Sequence, residues 1–158
     1  MDADRATGKE AEMSRDDLVR LEEACVRAWD QHDTDGFVSL LTEDCVMTED
    51  MEPKPLRSRE ELRQYAESWF AAFPDMRVRA KNRVIGDDSI AVELEMNGTN
   101  TGPLQLGGNR IAPTGRKVTA GLAAFMKVQG GKIKEIHSHP DNMTMMSQLG
   151  LSSASAPA

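Results

Sequence analysis

Four ionisable side chains, Glu135, His137, His139 and Asp141, fall within seven residues near the end of the sequence. They stand where a strand pattern gives way to a break and a short amphipathic helix, and functional groups gather where a rigid element hands over to a loop. His137 and His139 are two apart on the strand and so share a face. One of them could tune Asp141 or shuttle a proton. Alternatively, the His-x-His pair with Asp141 or His32 could hold a metal, though no zinc-type spacing is present and no metal is expected. A surface or structural histidine is the third reading. Asp141 follows Pro140 and precedes Asn-Met-Thr, a good helix N-cap, and capping can coexist with catalysis. Glu135 reads as a solvated or ion-paired strand residue.

The elements that must position these groups can be read from periodicity. Ser14 with Asp17 opens a helix in a capping-box pattern. Leu18, Leu21, Cys25, Ala28, Trp29 and His32 then recur at helical spacing. His32 is expected as a partner for that helix's C-terminus. Asp33 to Gly36 breaks the pattern, a short helix runs through Phe37, Leu40 and Leu41, and Cys45 to Thr48 reads as a strand. Ser58 and Glu61 form a second capping box before Leu62, Tyr65, Ala66, Trp69, Phe70 and Phe73, and Pro74 ends that helix. Strands follow over 75–85, 90–101, 117–128 and 132–139, with a Gly/Pro-rich loop from Gly102 to Gly115. The last helix, about 142–149, is expected to bury Met143, Met146 and Leu149, and Gly150 stops it. Residues 1–13 read as a disordered leader, 14–151 as one domain, and 152–158 as a flexible tail. Helices first and hairpin-connected strands later make an α+β order. A strongly curved antiparallel or mixed sheet can close over the helices as a cone, a natural pocket for a small apolar ligand.

Composition narrows the partners. The chain has 158 residues, 39% apolar and 28% charged, with a net charge of −7. That acidity argues against nucleic acid, which needs clustered Lys and Arg. No apolar run is long enough for a membrane span, and the acidic start does not read as a signal peptide. Cys25 and Cys45 do not make a disulfide framework and read as reduced, buried apolar residues. A cytoplasmic protein is expected.

The domain resembles the SnoaL-like polyketide cyclases, within the nuclear-transport-factor-two-like superfamily of α+β cone folds. Phe73-Pro74-Asp75-Met76 precedes the first long strand, Gly98-Thr99-Asn100-Thr101-Gly102 closes the second, and Pro113 to Val118 opens the third. Gly131 to Glu135 opens the fourth, and Asp141 with Gln148-Leu149-Gly150-Leu151 ends the domain. The resemblance implies a cofactor-independent enzyme in which Asp141 is the general acid/base of an aldol closure on a hydrophobic carbonyl compound. It departs from the family at two places: Asn100 stands where His is frequent, and Ile136-His137 where a His-Trp pair is frequent. Epoxide opening or isomerisation/dehydration in the same fold is one alternative, but a second buried Asp to pair with Asp141 is not evident. A non-catalytic ligand-binding or interaction module is the other. The family further implies a homo-oligomer, dimer or tetramer.

Other residues are expected around the substrate. Asn100 could donate to a substrate carbonyl, the rival reading being turn chemistry. Trp29, Tyr65, Trp69, Phe70, Phe73 and Phe125 are six of the seven aromatics. Helical aromatic stripes are usually core, but in a cone the core and the pocket wall are partly one surface. Trp29, Tyr65, Trp69 and Phe125 are expected to contact the ligand. Tyr65 adds a hydroxyl that could bond a ligand oxygen.

Overall fold

The computed structural model describes residues 12–151. The expected leader therefore lies outside the described residues except for Glu12 and Met13, and Met13 packs against the core. The expected tail over 152–158 also lies outside them.

Helix α1 spans Arg15–Asp30. Its capping box is complete: the Ser14 hydroxyl accepts from the Asp17 N–H, and the Asp17 carboxylate accepts from the Ser14 N–H. Leu18, Leu21, Cys25 and Ala28 bury one face. Helix α2 covers Thr34–Ser39, capped by the Asp33 carboxylate on the Gly36 N–H at 2.8 Å. Leu41 is already strand: β1 runs Leu41–Glu49, earlier than periodicity suggested. Pairing decides this, because Leu41 is in register with Ile133 in a neighbouring strand. Helix α3 is Arg59–Ala72, with Ser58 capping Glu61. The second capping box is not closed in the usual way, since Glu61 reaches the Arg57 N–H instead of that of Ser58. The helix stops at Phe73, before Pro74.

Strands β2 (Arg77–Ile85) and β3 (Ser89–Thr99) form the first hairpin. The stretch expected as a plain loop contains a small hairpin, β4 (Leu104–Leu106) and β5 (Asn109–Ile111). Gly107 and Gly108, both at positive φ, make its two-residue turn, a backbone shape that favours glycine. Strands β6 (Lys117–Gln129) and β7 (Lys132–Pro140) follow, and α4 (Asn142–Gln148) closes the described chain.

The five long strands form one sheet in the order β1-β7-β6-β3-β2. Only β1 lies parallel to its neighbour. The register shifts once in each of three pairings, β1–β7, β2–β3 and β6–β7, and such bulges bend and twist a sheet. In β7 the shift turns both Ile133 and Ile136 inward, although they are three apart. The result is an α+β cone: a curved mixed sheet wraps its apolar face around α1, α2 and α3. Two core clusters fill it, one around Leu18, Phe37 and Leu62, the other around Phe73, Val118 and the β4 leucines. The last helix buries Met145 and Leu149, one turn apart. Met143, expected inside, is 86% exposed, because the Asp141 cap sets the phase of the helix against the sheet. Among the described residues no helix is long and apolar enough to cross a membrane.

Candidate functional site

Between the helices and the sheet lies a cavity of about 130 Å³. Trp29 of α1, Phe37 of α2, and Tyr65 and Trp69 of α3 form its aromatic wall. These rings meet edge to face, with centroids 5.3 Å apart for Trp29–Phe37, 6.2 Å for Trp29–Tyr65 and 6.3 Å for Tyr65–Trp69. Such contacts hold aromatic rings in fixed orientations. Five methionines, Met47, Met76, Met96, Met126 and Met145, contribute to the remaining surface. Thioethers are soft and conformationally adaptable, so this half of the wall can mould to a ligand while the aromatic half stays rigid.

Three titratable groups reach the lining: Cys25, Tyr65 and Asp141. Burial, with the Glu22 charge adding to it, pushes the Cys25 thiol up to about 12. Burial and the nearby Glu49 carboxyl push the Tyr65 hydroxyl far above its ordinary range. Both are therefore neutral at physiological pH. Asp141 is held below the ordinary Asp value, first by the Thr144 hydroxyl and then by the Thr144 backbone N–H. These bonds are 2.7 Å to Oδ2 and 3.0 Å to Oδ1. Of the apolar residues near it in sequence, Ile136 lines the cavity with it, but Met143 faces away and Thr144 clamps both carboxylate oxygens. Asp141 is thus a helix cap that also borders the cavity, ionised and exposed.

The other expected site residues divide between two faces of the sheet. Trp29, Tyr65 and Trp69 line the cavity. His137, His139 and Phe125 do not belong to the lining; alternation in β7 sends Ile136 and Ser138 inward and the two histidines to the opposite face. There, His137 Nδ1 sits 2.7 Å from the Thr48 hydroxyl and its Nε2 3.3 Å from Glu135. His139 Nδ1 lies 2.9 Å from Asp50, and its ring meets Phe125 edge-on at 6.1 Å. Phe125 is half exposed beside it. The histidines therefore reach neither the cavity nor the Asp141 carboxylate by any hydrogen bond seen here. Among the described residues, no three His, Cys, Asp or Glu side chains converge as a metal site.

Asn100 is fully buried and belongs to the turn-chemistry reading. Its amide donates to the Ala72 and Gly102 carbonyls, and its oxygen accepts from the Thr114 N–H and hydroxyl. It pins both ends of the segment carrying β4 and β5 and does not line the cavity. His32 lies beyond α1 in a left-handed conformation, φ 55°. Its Nε2 is 2.9 Å from the Met76 carbonyl and its ring stacks on Phe70 at 4.4 Å, so it ties α1 to the approach to β2 instead of capping its own helix.

Sequence reasoning missed Ser138 and Glu49, both buried polar residues on the cone's inner side. Ser138 lines the cavity, and counting two from the apolar Ile136 would have found it. Glu49 continues the inward positions Cys45 and Met47, but a glutamate in that phase gives no apolar signal.

A family model for SnoaL-like polyketide cyclases matches residues 6–149. A search of the curated proteins finds no match. Among solved structures, the chain is similar to AclR of Streptomyces galilaeus, a candidate hydroxylase, at 22% identity with 88% of each chain covered and a TM-score of 0.76. It is also similar to IdmH of Streptomyces antibioticus, a candidate polyketide cyclase, at 25% identity, covering 84% of this chain and 97% of that one, with a TM-score of 0.70. A third is an LEH-like epoxide hydrolase of M. tuberculosis, at 15% identity, covering 85% and 90%, with a TM-score of 0.65. The match over nearly the whole described domain, on the cone that the strands and helices build, places the chain in the SnoaL-like polyketide cyclase family.

Proposed function

We propose that the protein binds a small, largely apolar carbonyl compound in the cone and closes a ring on it by aldol chemistry, without a cofactor, using Asp141 as the base. One observation carries this reading: in a cavity of aromatic and thioether walls, Asp141 is the one lining group that is ionised at neutral pH. The carboxylate takes a proton from a carbon next to one carbonyl. The resulting enolate carbon bonds to a second carbonyl carbon, and the new alkoxide regains the proton from Asp141, so the carboxylate is restored. A low-lying carboxyl is a weak base in water. A hydrophobic ligand seated against it removes water from one side, and that desolvation strengthens it. The chain's similarity to IdmH, at 25% identity, fits this chemistry. Epoxide opening is less well supported, since the lining holds a single Asp and no Arg.

A second reading, ligand binding without turnover, draws on the Thr144 clamp that engages both Asp141 oxygens. The two separate in one experiment. In D2O, the protein is mixed with a hydrophobic β-diketone and exchange at the carbon between the carbonyls is followed by NMR. Catalysed exchange in the wild type that is lost in Asp141→Asn, with binding retained, is the expected result. Equal exchange in both proteins removes Asp141 as the base, and binding without exchange leaves the second reading.

A further inference from the structure

We propose that the Ser138 hydroxyl anchors a carbonyl oxygen of the ligand at the end away from Asp141, so that the cone selects compounds carrying an oxygen beyond the reacting carbons. This rests on the ligand-binding part of the function proposed above and names the group that sets the ligand's direction in the cavity.

Strand phase puts the hydroxyl there. Ile136 and Ser138 are inward positions of β7, both line the cavity, and Ser138 is only 7% exposed. Its row across the sheet runs from Glu49 of β1 through Ser138 to Ala124 of β6. Paired residues of neighbouring strands project to the same face. Neither neighbour engages the hydroxyl: Ala124 ends at a methyl, and Glu49 Oε1 turns to the Met51 N–H at 3.0 Å. The backbone of β7 is occupied as well, because β1 and β6 flank it and its ladders run to both. Among the described residues the Ser138 side chain makes no hydrogen bond. Unlike the Glu22 oxygens and the Thr42 hydroxyl, which are sealed without a partner, it opens on the cavity.

The surroundings give this hydroxyl a use. The next row of the sheet, Met47, Ile136 and Met126, also lines the cavity and offers thioethers and an alkyl group. A thioether is a weak acceptor and an alkyl group none. A hydroxyl held among such walls without a strong partner costs free energy, and a carbonyl that enters the cavity supplies the acceptor. A ligand of the same shape without that oxygen leaves the hydroxyl unpaired, and a site with an unpaired polar group discriminates against such a ligand.

The strands also fix the direction. The Asp141 N–H donates to the Gly121 carbonyl at 2.9 Å, and Ser138 is in register with Ala124. Both strands therefore place the two side chains three residues apart, roughly 10 Å of extended backbone. The oxygen on Ser138 stands away from the carbon that Asp141 deprotonates. The favoured ligand is an elongated compound with a carbonyl at its far end in addition to the reacting ones.

The experiment uses two probes, 2-acetylnaphthalene and 2-isopropenylnaphthalene, in which a methylene replaces the carbonyl oxygen. Affinities come from quenching of the tryptophan fluorescence, and the carbonyl band of the bound ketone from difference infrared spectroscopy. In Ser138→Ala the affinity ratio of ketone to alkene should fall by about fivefold, the worth of one neutral hydrogen bond. The carbonyl band, lowered in frequency by the hydrogen bond in the wild type, should move up in the variant, a shift that a purely structural role of Ser138 would not produce. Ser138→Cys, with a weaker donor, should lie between the two. An unchanged ratio and band in Ser138→Ala, or a band that moves in Tyr65→Phe and stays in Ser138→Ala, overturns the inference and leaves the proposed function standing. No binding of either probe overturns both.

Discussion

Removing the Arg83 guanidinium should cost the fold a measurable part of its stability, and the structure sets the amount. Glu22 of α1 has a side chain with no exposed surface, and Arg83 of β2 places its Nε 2.8 Å from Oε2. Neither Glu22 oxygen has a well-aligned hydrogen bond, so charge attraction holds the pair. Taking away one partner of a buried pair costs roughly 3–5 kcal/mol, because the other charge stays behind without compensation. Arg83 is 34% exposed, so solvent already screens the pair. Glu22 can also neutralise itself, since burial raises its carboxyl above the ordinary value. Both effects bring the expected loss for Arg83→Met to about 2–3 kcal/mol near pH 8. For a chain of this length that corresponds to roughly 4–12 °C in Tm.

The sign with pH follows from the raised carboxyl. A raised folded value favours the folded state fully below 4.5, the ordinary value for the group, and that advantage is lost as pH rises through the folded value. Without Arg83 the carboxyl rises further, so the deficit of Arg83→Met should shrink toward pH 4.5 and grow above it. Urea unfolding of the wild type, Arg83→Met and the double replacement Glu22→Leu with Arg83→Met, at pH 5 and pH 8, measures this. The double variant should recover most of the loss, since apolar replacement of a buried pair is often neutral or stabilising. An Arg83→Met deficit under about 0.5 kcal/mol at pH 8, or one that widens on acidification, refutes the reasoning. The pair also has a bearing on the site: Cys25 and Val26 of the cavity lie one turn beyond Glu22, so it ties that wall to the sheet.

Asn100→Ala should lower stability by at least about 2 kcal/mol in urea unfolding, since it strips partners from the Ala72 and Gly102 carbonyls and the Thr114 N–H, and should open the 102–115 segment to limited proteolysis. With Cys25 pushed up to about 12 and Cys45 to about 11 by burial, neither thiol should be alkylated by iodoacetamide at pH 8 until denaturant is added, as read by mass spectrometry. Met143→Lys, at a position 86% exposed, should change stability by less than about 0.5 kcal/mol, whereas Met145→Lys, at 3% exposed, should be strongly destabilising.

Much of the fold was legible because local patterns and tertiary demands agreed. The Ser14 box, the stop before Pro74 and the alternation of Ile90, Val92, Leu94 and Met96 all survive in the structure. The misses have identifiable physical causes. Leu41 looked like the end of a helix, but its conformation is set by pairing with Ile133, far away in sequence. The β4–β5 hairpin was hidden because its strands are only three residues each, too short for a period to show. At the site, the aromatic wall was readable from helical spacing. His137 and His139 were correctly seen to share a face, but which face depends on Ile136 and Ser138 pointing inward across a register shift. Glu49 could not be found from pattern, because a buried carboxyl looks in sequence like a solvated one. The Thr144 clamp on Asp141, by contrast, was foreshadowed by the N-cap reading.

The most direct test is whether a ligand occupies the cone. With 13C-labelled methionine methyls, 2-acetylnaphthalene should shift Met47, Met76, Met96, Met126 and Met145, which line the cavity, and should give contacts between their methyls and the naphthalene ring. Met143, on the exposed side of α4, should not move. Contacts confined to Met143 and other methyls outside the lining, with the five cavity methyls unchanged at saturating ligand, would contradict the account.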